Sequence, residues 1–382
     1  MRAAESLNMA PVSMNPFARV WDEVGPDVLA ATKRVGASGW YVLGPEVEAF
    51  EAAFARFCGA PAAVGVASGL DAIEIGLRAL GIEPGQAVLT TPLTAFPTTL
   101  AILRAGGIPV FVDVDEHGVL DLDCCNALLE KRSDIRYCVP VHLYGQSIDL
   151  PRLRALKEKF DLSIVEDAAQ AHGASFHGEA VGSVGDVTAY SFYPTKNLGA
   201  FGDAGALTSR EESILTRSRS IRNYGQSARY VHDELGLNSR LDELHAAILS
   251  DALLPRLKAW TERRREIARQ YREALDGAAL TPLPVTDTEG CVYHLFPIRV
   301  RVGDRDGFLE FLASAGISSG VHYPTLTFAQ KAIASAYSDL ETPLAATIAS
   351  EQVSLPIHPL ITDDEVSRVC ERCRAWEALH AP

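Results

Sequence analysis

The 382-residue sequence contains no run of about 18 uninterrupted apolar residues, the length that a membrane-spanning helix needs. Its opening, MRAAESLNMAPVSMNPF, has no apolar stretch of the kind that leads a chain to export. The expectation is a cytoplasmic protein with no membrane partner. Basic charge is short as well: 35 Lys and Arg stand against 49 Asp and Glu, a formal charge of -14. Such a chain repels polyphosphate backbones, so no nucleic acid partner is expected, and a small anion must be gripped by local groups such as helix N-termini and hydroxyls. Cysteine is sparse and odd in number, seven in all, which excludes the dense disulfide framework of small secreted domains. Cys370 and Cys373 form a lone C-x-x-C without a second pair at zinc spacing; they read as helix residues, and no metal is expected.

What is present is ordinary globular material, 47% hydrophobic and 22% charged, with length for a large core and two to three folding units at about 150 residues each. Residues 1–14 carry small and polar types without periodicity and read as a loose, disordered extension. From Ala62 to Leu207, short β-rich runs (AAVGVA, AVLTTP, PVFVDV, IRYCVPVHL, LSIVED) alternate with amphipathic stretches (DAIEIGLRAL, AFPTTLAILRAG, LPRLRALKEKF). That alternation predicts an α/β fold, a mostly parallel sheet covered by helices, with ligands at the carboxyl ends of the strands. Helices are expected over 210–222 and over 241–275, the second interrupted by Pro255. A large domain over 15–276 then gives way, through the linker LTPLPV, to a compact α+β unit over 277–382 with strands VYHLFPIRVRV, ISSGVHYP and VSLPIHP.

Chemistry concentrates at three points. LSIV ends in Glu166 and Asp167, where a sheet would open, with Gln170 and His172 following in EDAAQAHGA; taken alone, Asp167 could equally cap a turn. In AYSFYPTKNLGAFGDAGAL, Lys196 follows an aromatic run and sits among Gly199, Gly202 and Gly205, a setting that lowers an amine pKa and makes it a nucleophile. A Schiff-base lysine and an Asp that keeps a pyridinium protonated are what pyridoxal phosphate chemistry requires, and Asp167 with Lys196 fits that pair. Its third requirement, a phosphate seat, is met by VASGLDAIEI: a strand ends, Ser68 and Gly69 turn the chain, and a helix N-terminus follows, with the Ser191 hydroxyl available as a further donor. A Ser-Gly before a helix is by itself also an ordinary N-cap.

These segments, with GWYVLGPEVEAFE, VPVHLYGQ, RNYGQ, LNSRLDELHAAIL and VHYP, resemble the nucleotide-sugar aminotransferases, the DegT-type branch of the fold type I pyridoxal phosphate enzymes. The likeness runs from about residue 15 to the C-terminal helix. It implies that 15–276 is the cofactor-binding domain, that Lys196 bonds the cofactor and shuttles protons, and that Asp167 contacts the pyridine nitrogen. Gln170 would lie near the phenolic oxygen, Phe96 would stack on the ring, and Ser68, Gly69 and Ser191 would hold the phosphate. Leu70 stands where many members place a Thr, a Gly-Leu-Asp-Ala version also occurring. Asn238 matches an Asn that completes the phosphate site of the neighbouring subunit, implying a homodimer with shared active sites. His322, Tyr323 and His294 fall where the family's small domain faces substrate, and Arg222 and Arg240 are candidates for anion recognition. The implied reaction moves an amino group from an amino acid such as glutamate to a nucleotide-linked keto sugar. The turn at Gly69–Ala72 and Tyr193 after Ser191-Phe192 look more like enzymes acting at the 3-position of a 6-deoxyhexose than at the 4-position. A 4-keto sugar, a sugar dehydratase or lyase, and a non-enzymatic regulator keeping the fold remain the alternatives.

Overall fold

The elements follow the expected alternation, with two helices added in front. In this computed structural model, which describes residues 10–275, 277, 279–301 and 304–380, the chain runs α1 (Phe17–Ser38), α2 (Pro45–Cys58), β1 (Ala62–Val66), α3 (Gly69–Ala79), β2 (Ala87–Thr90), α4 (Phe96–Arg104), β3 (Ile108–Phe111), α5 (Leu122–Leu129), β4 (Tyr137–Val139), α6 (Leu150–Phe160) and β5 (Ser163–Asp167). A short hairpin, β6 (Ser175–Phe176) and β7 (Glu179–Ala180), precedes β8 (Val187–Ser191), β9 (Gly205–Ser209) and α7 (Glu212–Ile221). A second hairpin, β10 (Gln226–Ala228) and β11 (Val231–His232), leads to α8 (Glu243–Ile248) and α9 (Leu257–Ala274). The last part comprises β12 (Leu280–Pro282), β13 (Phe296–Val300), α10 (Arg305–Ala313), α11 (Pro343–Glu351), β14 (Gln352–Leu355) and α12 (Asp363–His380). No described helix is long and apolar enough to cross a membrane.

Seven strands form one sheet in the order β1-β9-β8-β5-β4-β2-β3. Every neighbouring pair is parallel except those made by β9, which runs against both β1 and β8. Strands β2, β4, β8 and β9 are buried at every position, as expected of a sheet covered on both faces. The helix α3 shows why this local sequence folds as it does. The Ser68 side chain accepts the Asp71 amide at 3.1 Å as an N-cap, while Ala72, Ile73, Ile75, Leu77 and Ala79 are buried.

Three readings need correction. LTPLPV is more than a linker: Leu280–Pro282 is an edge strand pairing antiparallel with β13, and Pro282 is tolerated because it closes the strand at the sheet margin. ISSGVHYP forms no continuous strand; it makes single bridges, Ile317 to Val12 and Gly320 to Ser354. Of the extension 1–14, residues 1–9 lie outside the described residues, but Val12 is fully buried and tied to Ile317. The long helix breaks where Pro255 demands it. A π turn (Leu249–Leu253) and a 3-10 turn (Leu254–Arg256) separate α8 from α9, since proline removes one amide donor and crowds the preceding turn.

Candidate active site

Chain ends converge at the carboxyl edge of the sheet. Ser68 and Gly69 follow β1, Asp167 closes β5, Ser191 closes β8 and Lys196 lies in the loop beyond it. A cavity of about 310 Å³ opens there, lined among others by Ser68, Gly69, Leu70, Asp167, Gln170, Ser191 and Lys196. Close backbone approach makes this wall. A Cβ on Gly69 would stand 2.5 Å from the Ser191 Cβ, and one on Gly205 would collide with the Ser68 carbonyl. At the start of α3 the Gly69 and Leu70 amides donate to no group among the described residues, because the Ser68 cap satisfies Asp71 and Ala72 instead. Two free amides and a helix N-terminus favour an anion.

Asp167 is almost wholly buried. Its Oδ2 accepts the Thr98 hydroxyl at 2.8 Å and its Oδ1 the Ala169 amide at 3.0 Å. Burial raises its pKa; those two donors and the Lys196 charge oppose the rise. A second carboxylate, Glu166, lies behind it. Burial works against its charge, but His142 Nε2 at 2.8 Å and the Gly182 amide at 2.9 Å, together with the Gly185 amide, hold its pKa below the usual range. The Ile148 amide donates to His142 Nδ1 at 3.2 Å, so Nε2 carries the proton given to Glu166. Gln170 accepts the Tyr144 amide at 2.7 Å and donates to the Tyr323 hydroxyl at 3.1 Å.

Burial lowers the Lys196 pKa to about 8, with the Asp167 charge resisting the shift. Lys196 also lines a second cavity of about 370 Å³, together with His294, His322 and Tyr323. Both histidines are neutral: burial and then the Lys196 charge take His322 down to about 4 and His294 well below its ordinary value. His322 Nδ1 lies 3.0 Å from the Ser354 hydroxyl, and His294 Nδ1 lies 3.2 Å from Asn197 Oδ1.

Other expected residues stand elsewhere. Phe96 is half-buried at the first position of α4 and does not line the cofactor-side cavity; Thr98, two residues on and so across the turn, does. Arg222 is buried, donating to Glu51 at 2.5 Å and to the Gly65 carbonyl at 2.8 Å, so its charge is matched inside the protein and it lines neither cavity. Arg240 lies over the Tyr224 ring and donates to Asn223 at 3.2 Å, also away from both cavities. Asn238 is exposed and bridges Asn223. Sequence reasoning missed Thr98, whose only signal is its place three residues into a helix after β2.

The cavity fits the cofactor that the resemblance implies: a buried carboxylate and an amine face it, and a helix N-terminus forms an anion seat whose close-packed wall leaves no room for a Cβ at Gly69 or Gly205. Comparison with known proteins agrees. The model of the DegT/DnrJ/EryC1/StrS aminotransferase family matches residues 23–374. A dTDP-3-amino-3,4,6-trideoxy-alpha-D-glucose transaminase of Streptomyces venezuelae is 41% identical over 93% of this chain and 93% of its own length. A dTDP-3-amino-3,6-dideoxy-alpha-D-galactopyranose transaminase of Aneurinibacillus thermoaerophilus is 42% identical over 90% of this chain and 94% of its own. Among solved structures, NtdA from Bacillus subtilis with bound cofactor PMP superposes with a TM-score of 0.89 at 28% identity, covering 96% of this chain and 85% of that one.

Proposed function

Because the chain belongs to the DegT/DnrJ/EryC1/StrS aminotransferase family, we propose that it is a pyridoxal-phosphate-dependent transaminase that moves an amino group from an amino acid, glutamate foremost, to carbon 3 of a nucleotide-linked keto-6-deoxyhexose. One observation carries the reading: Asp167 and Lys196 share a glycine-walled cavity whose anion seat is the N-terminus of α3.

The cofactor, when bound, supplies an electron sink through its protonated ring. The chain's own residues do the rest. Asp167, its carboxylate oriented by Thr98 and Ala169, holds the proton on the ring nitrogen. Ser68, Ser191 and the free amides of Gly69 and Leu70 hold the phosphate, and Asn238 of a second copy completes that seat. Gln170, fixed between Tyr144 and Tyr323, would lie near the phenolic oxygen. Lys196 Nζ would hold the cofactor covalently. As a free amine, Lys196 would take the proton from the donor's α-carbon and give one to the sugar carbon in the return half. A pKa near 8 suits a group that must both take and give. His294, His322 and Tyr323 face the substrate side of the lysine.

Two 3-amino sugar transaminases at 41% and 42% identity support the 3-position, as does Tyr193, which lines the cofactor-side cavity. Incubating the enzyme with glutamate and each of a panel of nucleotide-linked 3-keto and 4-keto sugars, then locating the new carbon–nitrogen bond by NMR, tests the reading. Amination at carbon 3 is expected. Amination at carbon 4 alone overturns the position, and no glutamate-dependent change in the cofactor's absorbance overturns the chemistry.

A further inference from the structure

The substrate-side cavity has a property that the reaction as described does not use. No Asp or Glu is among its lining residues, although acidic residues outnumber basic ones by fourteen in the chain. Its wall includes Arg264, on α9 and 6% exposed. Arg264 Nη1 donates to the Ile357 carbonyl at 2.6 Å and to the Tyr293 carbonyl at 3.2 Å. Its other two nitrogens, Nε and Nη2, have no partner, and no carboxylate pairs with it, among the described residues. Burial lowers its pKa to about 10, still leaving it a cation at neutral pH. A buried cation without a counter-charge is an expensive arrangement, relieved when a ligand brings the anion.

His358, 2% exposed, lines the same cavity. Its Nε2 donates to the Ser13 carbonyl at 3.1 Å, and its Nδ1 is buried without a partner. Burial and the neighbouring Arg264 hold the ring neutral, with a pKa of about 4. Nδ1 is enclosed by the protein and not exposed to the cavity. The wall thus offers a two-donor guanidinium edge and the reactive amine of Lys196. The free Nε–Nη2 edge is the fork that engages both oxygens of a carboxylate.

We infer that Arg264 receives a carboxylate of the amino-acid donor in this cavity. The inference rests on the transaminase reading above and names the seat of its first substrate.

Arg264→Gln and Arg264→Lys test it in the cofactor-loaded enzyme. Three quantities are measured: half-saturating glutamate for conversion to the amine form, half-saturating keto sugar for the return, and the melting temperature. Arg264→Gln is expected to raise half-saturating glutamate about 10- to 100-fold and leave the keto-sugar value within about twofold. Arg264→Lys, which keeps the charge and a donor for Ile357 but loses the fork, is expected to fall between. Unchanged glutamate saturation in both variants, or a matched weakening of both halves, overturns the assignment and leaves Arg264 a packing residue. A change confined to the keto sugar overturns it in favour of a phosphate seat. A wild-type enzyme that accepts an amino group from no amino acid overturns the transaminase reading itself, and its own silence distinguishes that case from a failure of Arg264 alone.

Discussion

Lys196 combines two demands that pull against each other: burial, which lowers its pKa, and a neighbouring carboxylate, which resists the fall. In cofactor-free protein the outcome is measurable. The amine must be uncharged to attack an aldehyde, so the rate of cofactor capture should climb with pH and level off above about 8, whereas an unperturbed lysine would keep climbing to about 10.5. Stopped-flow absorbance reads the profile; a rise continuing to pH 10 would contradict it. Lys196→Ala should lower turnover by at least about 10³-fold, with the circular dichroism spectrum and melting temperature near those of the wild type, because the side chain contributes chemistry and little packing. Retention of wild-type turnover by that variant would remove Lys196 from the reaction. Lys196 was legible in the sequence because its neighbours, a proline, glycines and aromatics, are distinctive, and Asp167 was legible through its place at the end of LSIVED and its pairing with that lysine. Arg264 was not, because nothing in RRREIARQ distinguishes the buried arginine from those that face water; that difference arises from where Tyr293 and Ile357, far along the chain, place their carbonyls.

At the scale of elements, the alternation of strand and helix from Ala62 to Asp167 was readable because buried parallel strands are short apolar runs bounded by turns. The elements that escaped reading are those whose conformation depends on a distant partner. β12 is a strand because β13 lies beside it, and α2 begins where Glu243, from α8, accepts the Gly44 and Glu46 amides at 2.7 Å and 2.9 Å. The junction between β9 and the β1–α3 turn is tighter than any sequence pattern conveys. Gly205→Ala would drive a methyl group into the Ser68 carbonyl and the Gly69 amide, and backbone cannot swing aside as a side chain can. A loss of about 1–3 kcal/mol is expected, read from the denaturant midpoint. A weaker cofactor dissociation constant should accompany it, since the displaced residues form the anion seat. An unchanged midpoint and cofactor affinity in the Gly205→Ala protein would show that the turn is looser than the contacts imply.

For the whole molecule, Trp40, Tyr41 and Val42 are exposed, and Val42 bridges Asp242, which sets this apolar group beside the segment carrying Asn238. Tyr230 and Leu235, also exposed, lie just before it. If Asn238 serves the neighbour's site, Lys196→Ala and Asn238→Ala chains, each impaired alone, should recover activity when mixed and allowed to exchange, one heterodimer site being intact. A mixture no more active than its parts, or a fully active monomer in sedimentation, would refute sharing. The two cavities have a consequence of a different kind. Among the described residues Lys196 alone lines both, so the lysine is a single berth at which two vessels must call in turn. Keto sugar arriving while the lysine still awaits the amino donor occupies the berth to no purpose. Throughput should therefore pass through a maximum as keto sugar is raised at fixed glutamate, and the maximum should move to higher sugar as glutamate is increased. Initial rates on a grid of the two concentrations would display this congestion, or its absence.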